Sequence, residues 1–138
     1  YLFGNDGLIS FDYSYTDYST TKFKPTEDPE FAFQNDLIEN NLKASSTFRV
    51  GGEYRLQEWS LRGGYRFVES PYENETTIGD LNGYSVGLGY DFGNIELDLA
   101  YDAAEQDRNP QLYQVGLTDR ANINRRNSNF TLSLSFGI

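Results

Sequence analysis

The residues of this chain that could do chemistry are charged and fall in two blocks. Arg49, Glu53, Arg55, Arg62 and Arg66 form one, and Asp91, Glu96, Asp98 and Asp102 form the other. Paired carboxylates such as Asp91 and Glu96 can do general acid–base work when their surroundings push one pKa up. The usual companions of such work are missing. There is no His, hence no side chain that ordinarily titrates near neutral pH, and no Cys, hence no thiolate and no disulfide. Gly87-x-Gly89-x-x-x-Gly93 has the glycine spacing of a phosphate loop, but it lies inside a strand pattern and precedes no helix. No dense acidic loop of the Ca²⁺-binding kind stands out. The chain is expected to be no enzyme and to need no cofactor or metal.

What positions these charges is a rhythm on two levels. Stretches of about ten residues alternate apolar and polar, as barrel strands do, and the links between them are alternately very short and long. Phe48, Val50 and Tyr54 alternate with Arg49, Gly51, Glu53 and Arg55. Leu61, Tyr65 and Phe67 alternate with Arg62, Gly64 and Arg66. Val86, Leu88 and Tyr90 alternate with Gly87, Gly89 and Asp91, and Leu97 and Leu99 with Glu96, Asp98 and Ala100. Leu132, Leu134 and Phe136 alternate with Ser133 and Ser135. A side-chain period of two marks strands. Six are expected, at roughly 7–20, 45–56, 58–69, 83–92, 95–105 and 128–138.

The fold class is therefore all-β, an antiparallel sheet with one apolar, aromatic face and one charged face. A transmembrane β-barrel has this pattern, with lipid outside and water inside. On that reading the apolar residues named above face lipid and the charged ones face the lumen. A soluble up-and-down barrel or sandwich is the competing reading, and a soluble barrel would point its apolar residues inward. Gln57-Glu58 and Gly93-Asn94 are minimal turns, and Gly-Asn is a hairpin signal. Thr21–Ala44, Ser70–Asn82 and Gln106–Asn127 are long. Outer-membrane barrels put short turns on the periplasmic side and long loops outside. The last strand then ends at the periplasm, which makes the C-terminus periplasmic. Within the first loop, Asn35 to Lys43 is expected to form a short helix with Leu37, Ile38 and Leu42 on one face. In the third, Tyr113, Val115 and Leu117 alternate and would extend a hairpin.

Composition agrees. Mean hydropathy is −0.63, and no apolar run approaches the ~20 residues of a membrane helix. A barrel strand shows lipid only every second residue, so low hydropathy is compatible with it. Aromatic residues make up 16% of the chain, 11 of them Tyr, a type suited to surfaces apolar on one side and wet at the ends. The net charge of −10 argues against a nucleic-acid partner. Tyr1 to Gly7 reads as a strand end followed by a tight turn. The 138 residues are thus expected to be the C-terminal portion of one barrel domain, a fragment of a longer protein.

The two-residue turns fix a register. With Leu56 opposite Trp59, Glu53 falls opposite Arg62, Gly51 opposite Gly64 and Arg49 opposite Arg66. With Phe92 opposite Ile95, Asp91 falls opposite Glu96. The first hairpin is rich in Arg and the second in carboxylates. A basic-to-acidic seam between them is expected, either as a salt-bridge network that stiffens the wall or as a polar lining for a solute path.

Four stretches together resemble a known family. They are Gly7-Leu8-Ile9-Ser10-Phe11-Asp12-Tyr13-Ser14-Tyr15-Thr16-Asp17-Tyr18-Ser19, Phe48-Arg49-Val50-Gly51-Gly52-Glu53-Tyr54-Arg55, Leu61-Arg62-Gly63-Gly64-Tyr65 and Phe130-Thr131-Leu132-Ser133-Leu134-Ser135-Phe136. They are similar to the C-terminal part of the FadL-type long-chain fatty acid transporters of the outer membrane, including the Bacteroidetes set labelled hemin receptors. The resemblance implies a 14-stranded barrel of which these are the last six strands. It also implies passive uptake of hydrophobic or amphipathic small molecules, with an N-terminal hatch and a lateral exit that lie outside this chain. No binding residue carries over. Some relatives with this barrel serve in secretion or assembly complexes, which gives a partner-binding alternative. The partners implied are membrane lipid, a hydrophobic small-molecule ligand and, on the alternative, an outer-membrane protein complex.

Overall fold

In a computed structural model, residues 1–4, 6–74, 78–109 and 121–137 are described. Seven strands and one helix follow one another: β1 (Leu2–Phe3), β2 (Gly7–Asp17), α1 (Pro29–Asn41), β3 (Ala44–Leu56), β4 (Trp59–Val68), β5 (Ile78–Asp91), β6 (Ile95–Arg108) and β7 (Ile123–Phe136). All seven strands form one antiparallel sheet in sequence order. The expected register holds pair by pair, with Glu53 opposite Arg62, Arg49 opposite Arg66 and Leu88 opposite Leu99. Left-handed backbone closes the short turns, at Gln57 (φ 56°) and Gly93 (φ 94°). Glycine adopts this conformation without the steric cost that Gln57 carries.

Three expectations need correction. Among the described residues there are seven strands, because the strand end expected near Tyr1 pairs as a strand of its own, with Leu2 opposite Leu8 and Phe3 opposite Gly7. The strands also run further into the long loops than alternation suggests. β5 starts at Ile78, β6 reaches Arg108 and β7 starts at Ile123. These extensions hold only Ile78, Leu81 and Ile123 as apolar residues, so they carry no period-two signal, and cross-strand polar pairs help to hold them. Asn124 donates to Asp107 at 2.8 Å, and Arg126 lies 3.2 Å from Glu105. Conversely β2 stops at Asp17, whose carboxylate takes the Ser19 amide at 3.0 Å and starts a turn.

The helix begins six residues before its expected start, at Pro29 rather than Asn35. Asp28 caps it by accepting from the Glu30 amide at 2.9 Å, and Pro29 fits the first turn, where no backbone donor is needed. Its inward residues are Phe31, Asn35 and Ile38, whereas Leu37 is exposed. Buried Asn35 accepts from the Phe23 amide at 2.7 Å and donates to the Phe23 carbonyl at 3.1 Å. It pins the strap before the helix. The expected Tyr113–Leu117 extension lies outside the described residues.

Burial is unusual. Among the described residues Ala103, 2% exposed, is the one apolar side chain of the core. The buried polar residues, Asn35, Ser45 and Ser70, all sit at the long-loop end. The sheet therefore has no interior of its own.

Asn35→Ala removes both hydrogen bonds to Phe23 and leaves two backbone groups without partners, a local cost of about 1–3 kcal/mol. The strap should loosen while the sheet stays intact. Tryptic cleavage after Lys22 is expected to accelerate several-fold, and an unchanged rate would show that Asn35 does not hold the strap.

Candidate functional site

Period-two alternation sends the two sets of expected site residues to opposite faces of the sheet. On the apolar face, Phe48, Val50, Tyr54, Leu61, Tyr65, Val86, Leu88, Leu97, Leu99, Leu132, Leu134 and Phe136 are exposed, while Phe67 and Tyr90 are half-buried. Tyr90 owes its cover to rings on either side, with centroids of Trp59 at 4.7 Å and Phe92 at 4.5 Å. Nothing among the described residues covers this face.

The opposite face carries a charge network centred on Arg62 of β4. Its Nε donates to Glu53 of β3 at 3.0 Å. Nη1 donates to Asp98 of β6, and Nη2 lies 3.8 Å from Glu96 of the same strand. Arg55 completes the cluster, 2.7 Å from Glu53. Arg62 thus reaches across β5 to a strand that is not its neighbour. The reach depends on glycine. Gly87 stands directly opposite Arg62, and a Cβ there would meet Arg62 Cβ at 3.3 Å. A Cβ on Gly89 would fall 2.5 Å from the Asp98 carboxylate. β5 is bare backbone where the guanidinium crosses it.

The expected seam is therefore narrower than its charges suggest. Arg62, Glu53, Arg55, Asp98 and Glu96 come together. The other four do not join them, and each has a local reason. Asp91 accepts from the Gly93 amide at 2.6 Å and shapes the β5–β6 turn. Asp102 accepts from Asn129 of β7 at 3.0 Å. Arg49 turns the other way, to Asp12 of β2 at 2.7 Å. The expected seam omitted Asp12 as a partner, although the β2 alternation already placed it on the charged face.

Arg66 is the fourth. It stands opposite Arg49, and no carboxylate among the described residues pairs with it. Like charges placed opposite each other repel unless a neighbour compensates, and Asp12 draws only Arg49 away. Arg66 leans over Gly83, where a Cβ would meet its Nε at 3.5 Å. Here lies a depression of about 380 Å³, open on one side and lined by Arg49, Arg66, Ser85, Asp102, Gly64 and Gly83 among others. Of the two guanidinium groups Arg49 is already paired with Asp12, so Arg66, beside the Ser85 hydroxyl and with Asp102 on the same lining, is the one open to a carboxylate or phosphate oxygen through charge-assisted hydrogen bonds. Among the described residues no group of three or more acidic, His or Cys side chains could hold a metal ion, and no helix is long and apolar enough to cross a membrane.

The chain matches no known family profile, no curated protein and no solved structure.

Arg62→Glu places a fourth carboxylate among Glu53, Asp98 and Glu96, and the sheet should lose stability. Arg62 is about a third exposed, so solvent screening limits the loss to about 1–3 kcal/mol. Adding Glu53→Arg restores one opposite-charge pair in the same register. Thermal unfolding in detergent should show a lowered midpoint for the single variant and partial recovery for the double. Equal midpoints for both variants would contradict the observed pairing.

Proposed function

We propose that this sheet is part of the wall of an outer-membrane β-barrel that lets hydrophobic or amphipathic small molecules, fatty acids among them, pass without covalent chemistry. The observation that carries this reading is the two-faced sheet without a core. An apolar face of exposed Leu, Val, Phe and Tyr backs directly onto a face of ion pairs. In water such a face is a liability of the kind that marks an interaction surface, and lipid is a solvent that suits it. A hydrogen-bonded sheet satisfies its own backbone in lipid once its edges are paired. The resemblance of the strand motifs to fatty acid transporters points the same way, towards a barrel larger than these seven strands, with the short turns and the C-terminal end of β7 on the periplasmic side.

Arg66 and Arg49 supply the step that favours amphipathic cargo. An anionic head group can exchange water for the Arg66 guanidinium beside Arg49, which stays paired with Asp12, and the bare backbone of Gly83 lies under it. Binding at a single open guanidinium is weak, as conduction requires, because a solute that binds tightly does not leave.

A second reading is favoured by the Arg62 network. Ion pairs that tie β3, β4 and β6 together stiffen a wall, as a structural or partner-docking subunit of a secretion or assembly complex would need. Stoichiometric partners retained through purification would support it.

Uptake of a fluorescent dodecanoate into vesicles carrying the folded protein tests the first reading. The protein should speed entry over empty vesicles, and Arg49→Gln combined with Arg66→Gln should slow it several-fold while sparing an uncharged alkane probe. Entry no faster than in empty vesicles would sink the transport reading in favour of the second.

A further inference from the structure

The apolar face ends at different heights across the sheet, and the way it ends carries orientation. Along one register row the residues run Phe67, Asn82, Glu105 and Arg126 from β4 to β7. That row begins aromatic and ends charged on the same face of the sheet. The last aromatic residue towards the long loops is Tyr15 on β2, Phe48 on β3 and Phe67 on β4. It is Tyr84 on β5, Tyr101 on β6 and Phe130 on β7. Tyr15 lies one side-chain pair beyond the Phe48–Phe67 row, Tyr84 one pair short of it, and Tyr101 and Phe130 two pairs short. The aromatic margin thus slides along the register by six residues over the five steps from β2 to β7.

The margin is marked by chemistry as well as by ring count. Tyr65 donates its hydroxyl to Asn82 at 2.7 Å, and Arg126 donates to the Tyr84 hydroxyl at 2.9 Å. Apolar ring bodies stay on the band while their polar tips turn towards the polar residues, as Tyr does at a membrane interface. At the short-turn end the apolar residues shift in the same sense, from Leu56 and Trp59 to Phe92 and Phe136.

We propose that a lipid bilayer crosses this sheet obliquely to its register rows. Its long-loop interface follows the line Tyr15–Phe48–Phe67–Tyr84–Tyr101–Phe130, and its strands tilt about 40° from the bilayer normal. The angle comes from geometry alone. A slide of about 1.2 residues per strand is about 4 Å along a strand for each step of about 4.8 Å across the sheet. Closed barrels tilt their strands by about 35–45°. Eight residues separate Trp59 from Phe67, about 26 Å along the strand, and the tilt reduces this to about 20 Å of height. With side chains at each end, the band approaches the ~25 Å apolar belt of outer-membrane barrels. This inference rests on the membrane reading above and adds where the membrane lies.

The chain has no cysteine, so single-cysteine variants report cleanly. Phe67→Cys, Phe130→Cys, Arg126→Cys and Leu88→Cys, each carrying an environment-sensitive fluorophore, are reconstituted in phosphatidylcholine vesicles and quenched by brominated lipids of graded depth. Expected are equal, shallow depths at 67 and 130, deep burial at 88 and no lipid quenching at 126. Equal depths at 67 and 126 would mean that the membrane follows the register rows, which overturns the tilt and leaves the membrane reading standing. Absence of lipid quenching at 88 would overturn both. Polarised infrared dichroism of the unsubstituted protein in oriented bilayers needs no variant. A strand tilt near 40° supports the inference, and one below about 20° overturns it.

Discussion

The ladder of backbone hydrogen bonds is the constraint on which the rest of this structure depends. A globular domain uses burial to decide which elements meet, but here Ala103 is the one buried apolar side chain among the described residues. Cohesion falls to strand pairing, and register then decides everything above it. A slip of one residue would exchange the two faces and place Arg62 among leucines. The two-residue turns at Gln57-Glu58 and Gly93-Asn94 leave little room for such a slip inside a hairpin. Between hairpins, where the links are long, the Arg62 bridge to Asp98 supplies a second lock, since it closes only when β4, β5 and β6 are in one alignment.

The glycines of β5 join these two levels. A strand normally separates its neighbours' side chains by its own. Gly83, Gly87 and Gly89 remove that separation on the charged face, so residues two strands apart interact as if adjacent. The same bareness leaves the depression beside Arg66 open. One sequence feature thus permits both the stiffening network and the candidate anion site. In the network Arg62 is held by carboxylates from two other strands, whereas Arg66 beside the depression has no paired carboxylate among the described residues, which is why the two sites suit different roles.

Much of this was legible in the residues. Alternation placed the apolar and charged residues of the strand centres on their faces, and the turn lengths placed Glu53 opposite Arg62. The sequence was silent where those signals fail. Helix α1 starts at Asp28 and Pro29, a capping signal that is local and easily passed over beside acidic neighbours. The extensions of β5, β6 and β7 hold only Ile78, Leu81 and Ile123 as apolar residues and have no period of two to read. The seam was expected to recruit Arg49, Arg66, Asp91 and Asp102 as well. Hairpin register, however, says nothing about how one hairpin sits against the next, and that offset chose Arg62 alone. Asp91 was lost to the seam for a simpler reason, because the nearest unsatisfied donor was the amide of its own turn.

The absence of a core has a consequence for how such a chain comes to be where it works. Its mean hydropathy is −0.63, so before pairing its apolar side chains are diluted among polar neighbours and water tolerates it. Pairing sorts them, and the greasy surface exists only once the strands are in register. On the membrane reading, solubility is lost in the act of folding, not before it. The chain can then travel through an aqueous compartment only while unpaired, and folding and insertion become one event with a shared barrier. Whatever keeps the strands apart in transit also keeps the surface from existing.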